Sequence, residues 1–137
     1  MSKLNNSKEF TVAVGRRREA VARVRLHKGM GISTINGQPV ESYFPGAVAK
    51  VKFNKPFVVL GLEGKFWVSV RVKGGGKNGQ LEAVVHGISH ALAEIDREKN
   101  RTPLKKHKLL TRDPRTRERR KVGTGGKARR KKQSPKR

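Results

Sequence analysis

The last 27 residues, Thr111 to Arg137, hold 13 Lys or Arg, two acids and only two apolar residues, Val122 and Ala128. Such a segment has almost nothing to bury. Fixing the backbone of one residue costs about 1–2 kcal/mol, and no apolar surface is present here to offset it. Pro114, Gly123, Gly125, Gly126 and Pro135 exclude a continuous helix and permit threading. Fully extended, the segment reaches roughly 90 Å. The chain therefore reads as three parts: a loose polar N-terminus over 1–9, a globular α+β head over 10–110, and a long extended basic tail over 111–137.

Charge points to the partner. The 137 residues carry a formal net charge of +24. Residues 1–97 hold 16 basic and 7 acidic side chains, net +9, and residues 98–137 hold 18 basic and 3 acidic, net +15. Self-repulsion on this scale destabilises a compact state, so a polyanion is expected to meet the charge. A polybasic tail holds a membrane firmly only with an apolar anchor, and this tail has no aromatic, Leu or Ile. No stretch reaches the about 18 apolar residues of a spanning helix, and the first ten residues lack the apolar centre of a signal peptide. Nucleic acid is the expected partner, and membrane is not. The absence of Cys excludes disulfides and thiolate metal sites.

The head alternates in the strand period, then in the helix period. Phe10, Val12 and Val14 alternate with Thr11 and Ala13, which predicts a half-buried strand. A basic turn, Gly15–Glu19, follows. Over Ala20–His27, Ala22, Val24 and Leu26 face one way, and Val21, Arg23 and Arg25 the other. Ile32–Ile35 reads as a short strand, and Asn36-Gly37 as a type I′ turn, which needs φ > 0 twice. Pro39–Phe44 and Gly46–Phe53 read as helices, and Phe57–Leu62 as a strand or the end of a connection. In Phe66–Lys73, Phe66, Val68, Val70 and Val72 point inward, with Trp67, Ser69, Arg71 and Lys73 outward. Leu81, Val84, Val85, Ile88, Ala91, Leu92 and Ile95 then form an apolar stripe of period 3.6. A last short helix is expected from Pro103 to Leu110, with Pro at its first position. The architecture is a small mixed sheet with helices packed on one face.

Several motifs suggest chemistry. Gly74-Gly75-Gly76-Lys77-Asn78-Gly79 contains GxGxxG between a strand and a helix. A dinucleotide site needs a second parallel strand ending in an acid, whereas Asp96 ends a helix and a basic tail follows. No cofactor is expected. Glycines and a helix N-terminus still suit a phosphate, and Lys73 and Lys77 flank the loop. Glu82, His86, His90 and Glu94 stand four apart on the long helix, a row that suits either a metal or plain i,i+4 pairing. HGISH lacks the Glu of HExxH, so no metal site is assigned. Nothing resembles a catalytic nucleophile, and no enzyme activity is expected.

Phosphate contacts are assigned to Arg16, Arg17 and Arg18 in the turn, since Arg pairs bidentately with phosphate. Arg23, Arg25, Arg71 and Lys73 on the outward strand faces join them, with Lys77. In the tail the assigned cations are Arg112, Arg115, Arg117, Arg119, Arg120 and Lys121, then Lys127, Arg129, Arg130, Lys131 and Lys132. Without aromatics the tail reads phosphates and shape, not bases. The rival reading is an architectural DNA-binding protein, but such proteins insert an apolar wedge and the tail has none.

These motifs resemble the ninth small-subunit ribosomal protein family in its bacterial or plastid form. The resemblance rests on Gly15–Val24, Ile35-Asn36-Gly37, the glycine loop leading to His86-Gly87-Ile88, Leu110–Arg115, Lys127–Arg130 and the terminal Lys136-Arg137. It implies the fold of the second domain of the fifth small-subunit protein, with a left-handed β-α-β crossover. It also implies a place in the cytoplasm within the ribosome. The partners implied are small-subunit ribosomal RNA, neighbouring ribosomal proteins and the anticodon stem-loop of peptidyl-site tRNA, approached by Lys136 and Arg137. Pro135 departs from the family's usual tip, since Pro lacks an N–H and fixes φ.

Overall fold

The computed structural model describes residues 10–116. The N-terminal part over 1–9 lies outside the described residues, as does the tail beyond Thr116 with its assigned cations from Arg117 onward. Strands β1 (Phe10–Arg17) and β2 (Ala20–Lys28) form an antiparallel hairpin with Arg17 opposite Ala20. The turn is shorter than the sequence suggests. Gly15, Arg16 and Arg17 stay in the ladder, and Arg18 takes a φ of 55°. Strands β3 (Thr34–Ile35) and β4 (Gln38–Pro39) flank Asn36-Gly37, whose φ values of 53° and 84° are those of a I′ turn. Asn36 also acts as a strand rung: its Nδ2 donates to Val72 O and its Oδ1 accepts from Val72 N, both at 2.9 Å.

A single helical turn, α1 (Val40–Tyr43), leads to α2 (Ala47–Leu60). Here the expectation of a strand over Phe57–Leu62 is overturned. The helix runs through Pro56 to Leu60 and ends on Gly61, an αL residue at φ 67°. The Leu62 amide bonds Phe57 O at 2.9 Å, the closing bond of a Schellman cap. The β-branched run Val58-Val59 favours a strand locally, but burying Phe53, Pro56 and Phe57 prevails. A fully buried Phe contributes about 1.5–3 kcal/mol, more than any propensity difference.

Strand β5 (Phe66–Lys73) pairs antiparallel with β2 and parallel with β3, so the sheet order is β1-β2-β5-β3-β4. Helix α3 (Lys77–Ile95) lies across β1, β2 and β5, and α2 and α4 (Arg97–Lys106) pack against it. Ala20, Ala22, Val24 and Leu26 meet Val68, Val70 and Val72 and the α3 residues Val84, Ile88, Ala91 and Leu92 in one core. The last helix does not start at Pro103. Asp96 caps it, its Oδ1 accepting from the Lys99 amide at 3.2 Å, and Pro103 lies inside. The buried Asn100 donates to Leu92 O at 2.7 Å and fastens α4 to α3.

The orientation of β1 is fixed by the helix that covers it. Val12 and Val14 are 46% and 44% exposed, while Ala13 packs on the core and Gly15 is buried. Alternation identified the strand but not the inward side. Helix α3 sits on β1 so closely that a Cβ at Gly15 would collide with the backbone at Ala83 O and Gly87 N. Gly87 answers from the helix, where a Cβ would meet Val24 Cγ2 at 2.6 Å. Only small residues fit between these backbones, so the valines turn outward.

Candidate nucleic-acid interface

Among the described residues, the sheet face opposite α3 carries no helix. The register sets its residues in cross-strand rows: Val12, Arg25 and Ser69; Val14, Arg23 and Arg71; Arg16, Val21 and Lys73. Arg16, Arg23, Arg25, Arg71 and Lys73 are all exposed. Arg23 stands directly opposite Arg71. Like charges across a rung destabilise a sheet, and here nothing in the strand pairing offsets them. One end of the face is closed by an aromatic row. Trp67 stacks on His27 with ring centroids 4.0 Å apart, and His27 meets Phe10 at 5.3 Å. The Arg25 guanidinium lies 5.2 Å from the Phe10 centroid. The outward cations Arg23, Arg25, Arg71 and Lys73 are exposed as the alternation predicts, but alternation alone did not place Phe10, Val12 and Val14 beside them, because it does not say which side of β1 is inward.

At the other end the glycine loop folds over the hairpin turn. Gly74 and Gly75 have φ of 86° and 64°, and a Cβ on Gly74 would run into Glu19 O. This sets the glycine loop before α3 against the hairpin turn at Glu19 and Ala20, a juxtaposition the sequence did not reveal. The Lys77 Nζ sits 3.4 Å from the Tyr43 ring centroid and donates to Tyr43 O at 3.2 Å.

Arg17 takes a different place from its two neighbours. It points to the α3 side and is only 7% exposed. Its Nε donates to Glu82 Oε2 at 2.6 Å and its Nη1 to Arg115 O at 2.8 Å, with Nη2 3.5 Å from Asp113 Oδ2. Arg115 Nη2 in turn donates to Asp113 Oδ2 at 2.6 Å. These hydrogen bonds from the Arg115 side chain and backbone, then the Arg115 and Arg17 charges, hold the Asp113 carboxyl well below the usual carboxylate range. Arg112 is exposed at the start of the tail.

The histidine row resolves into a local hydrogen-bond chain. The Arg16 amide donates to His86 Nδ1 at 3.3 Å, so the neutral His86 ring carries its proton on Nε2. That Nε2 lies 3.3 Å from Leu110 O and 3.0 Å from His90 Nε2. A metal on Nε2 would need the proton on Nδ1, where it would oppose the Arg16 N–H. Among the described residues, no three His, Asp or Glu converge on one point. Burial, then the neighbouring His90 and Arg112, lower the His86 pKa, against a raising contribution from Leu110 O.

Clefts between the described residues border the head. One of ≈ 550 Å³ runs from Ile32 to Phe53 between β4, α1 and α2, and Glu41 and Lys50 are its charged lining residues. Another, of ≈ 250 Å³, opens at the base of the tail. Arg16, Lys52, Lys55 and Lys108 share its lining with Glu82 and Asp113. Among the described residues, no helix is long and apolar enough to cross a membrane.

Residues 15–137 match the family described as ribosomal protein S9/S16. The chain is 50% identical over 120 residues to the small ribosomal subunit protein uS9 of Maridesulfovibrio salexigens, covering 88% of this chain and 92% of that one. With uS9 of Bifidobacterium animalis subsp. lactis it shares 52% identity over 109 residues, 80% of this chain and 67% of the relative. Nothing in these matches supports the DNA-binding alternative. The basic, open-faced head and its tail thus belong to the ribosomal protein S9/S16 family, whose members are structural, RNA-binding components of the small ribosomal subunit and not enzymes.

Proposed function

We propose that the head docks on small-subunit ribosomal RNA through its open sheet face, and that the tail threads between RNA helices. In this reading Arg16, Arg18, Arg23, Arg25, Arg71 and Lys73 contact phosphates, while Val12 and Val14 lie against sugars. The carrying observation is the Arg23–Arg71 pair, two like charges placed directly across a rung on an uncovered face. Phosphate oxygens between them turn a repulsion into two charge-assisted bonds.

The tail, from Arg112 to Lys132, neutralises close-packed phosphates. Its last residues, Lys136 and Arg137, meet the backbone of the peptidyl-site tRNA anticodon stem-loop without base specificity. The bacterial relatives support a place in the cytoplasmic ribosome, beside neighbouring small-subunit proteins. The same reading carries the left-handed sense of the crossover, and the parallel β3–β5 pair joined through α2 is the β-α-β unit to which it applies.

Filter binding of small-subunit RNA across a salt series tests the proposal. If the chain covers about ten phosphates, log affinity falls against log salt with a slope of about −7 to −9. Replacing Arg23, Arg25 and Arg71 together by Ala should shallow that slope by about 2–3 without changing the fold. An unchanged slope would sink the sheet-face assignment. Removing Lys136 and Arg137 should spare RNA binding and weaken peptidyl-site tRNA binding to reconstituted subunits; equal tRNA affinity would exclude the tip.

A further inference from the structure

The cluster around Arg17 is not used by the surface just described. It unites three distant parts of the chain: the end of β1, the second turn of α3 and the first residues of the tail. Glu82 and the Arg115 carbonyl stand 65 and 98 positions from Arg17 in sequence. A guanidinium this buried must keep its partners, since a carboxylate lost from its side leaves an uncompensated charge away from water. The geometry points to Arg17 as an anchor that seats the root of the basic tail on the head and so sets the direction in which the tail leaves it.

Three features carry this. The contacts are made to the tail's backbone as well as its side chains, so they hold the chain itself and not one rotamer: Arg17 Nη1 reaches Arg115 O. Asp113 is gripped from both sides. Arg115 binds it through its backbone amide at 3.0 Å and through its guanidinium, while Arg17 approaches its Oδ2 from the head. The next turn of α3 adds a second tie, because His86 accepts from the Arg16 amide and lies against Leu110 O. Glu82 and His86, four residues apart on one helix face, thus bridge the hairpin end to the tail root. Only the use of this anchor on RNA rests on the proposed function. The anchor itself is a property of the free protein.

Its test needs no RNA. The chain has no Cys, so nitroxide labels at Thr116→Cys and Glu94→Cys, on the tail root and the exposed side of α3, report one distance by electron–electron resonance. The unsubstituted background should give a single narrow distribution. Arg17→Ala should broaden it, with a width that roughly doubles as the root detaches by local unfolding, and Arg17→Lys should broaden it too because one ammonium cannot span the three partners. Asp113→Asn and Glu82→Gln, at partly exposed side chains, test the same anchor if circular dichroism shows Arg17→Ala to be unfolded. Arg101→Ala, an equal loss of charge on α4, should leave the width unchanged. A distribution already broad in the unsubstituted background would overturn the anchor, as would equal widths in the folded variants at Arg17, Asp113 and Glu82. RNA affinity measured on the same variants reports separately on the proposed function, which survives an unanchored root if the salt slope is kept.

Discussion

The two faces of one hairpin obey different rules. Facing α3, β1 presents Ala13 and Gly15, and β2 presents Ala20 and Ala22, with the larger Val24 and Leu26 further along. Facing outward, the same strands carry Val12, Val14, Arg23 and Arg25. The more hydrophobic side chains of β1 are thus on the more exposed side. Burial here is decided by the distance between two backbones before it is decided by hydrophobicity. A helix that touches the strand through Gly15 and Gly87 gains many close contacts per residue, and valines in its way would force it off. The outward face has no such limit and mixes β-branched residues with cations, a surface whose polarity matches an RNA backbone.

The widest gap between the faces should appear on filling the packed one. Gly15→Val places branched atoms against Ala83 O and the Gly87 amide. It should lower stability by about 3 kcal/mol, read as a lower urea midpoint; a variant as stable as the parent would remove the close-packing argument. Next in size is the open face, where the triple Arg23, Arg25 and Arg71 to Ala variant should keep its midpoint and lose RNA affinity at moderate salt by roughly tenfold or more. Loss of fold in that variant would mean those arginines hold the sheet together.

Acid should act on the packed side alone. The His86 pKa is lowered in the fold, chiefly by burial, so the unfolded chain binds the extra proton first. Stability is full above the ordinary imidazole value of 6.5 and declines as pH falls through it toward the lower folded value. Urea midpoints at about pH 7.5 and pH 5.5 should differ in the parent and differ less in His86→Gln. Asp113, also lowered, withdraws its contribution only below its ordinary 3.8, a separate and more acid window. The smallest effect is expected at Val14→Thr, half exposed and uncovered, within about 0.5 kcal/mol. A larger loss would show that the open face is packed in the free protein.

Much of this was legible in the residues. The β2 and β5 alternations, the Asn36-Gly37 turn and the α3 stripe are local patterns with one structural solution each, and the outward cations at Arg23, Arg25, Arg71 and Lys73 follow from them. The errors share a cause. Helix α2 has no clean apolar stripe, since Val48, Val51 and Val58 are exposed, so periodicity stopped at Phe53; Gly61 was the unread sign of its true end. Asp96 marked the start of α4, but Pro103 drew the boundary to itself. Arg17 looked like its neighbours because three consecutive arginines are indistinguishable until a strand sends alternate ones to opposite faces.

Charge, its concentration toward the C-terminus and the scarcity of apolar residues there are properties of composition, so the expectation of a polyanionic partner and of a head and a tail rests on the sequence alone. Which arginine binds inward, which side of β1 is core and where the tail root is held depend on how near α3 lies to the hairpin. That distance is set by Gly15 and Val24 on the hairpin against Ala83 and Gly87 on the helix, residues far apart in sequence, and no local pattern encodes it.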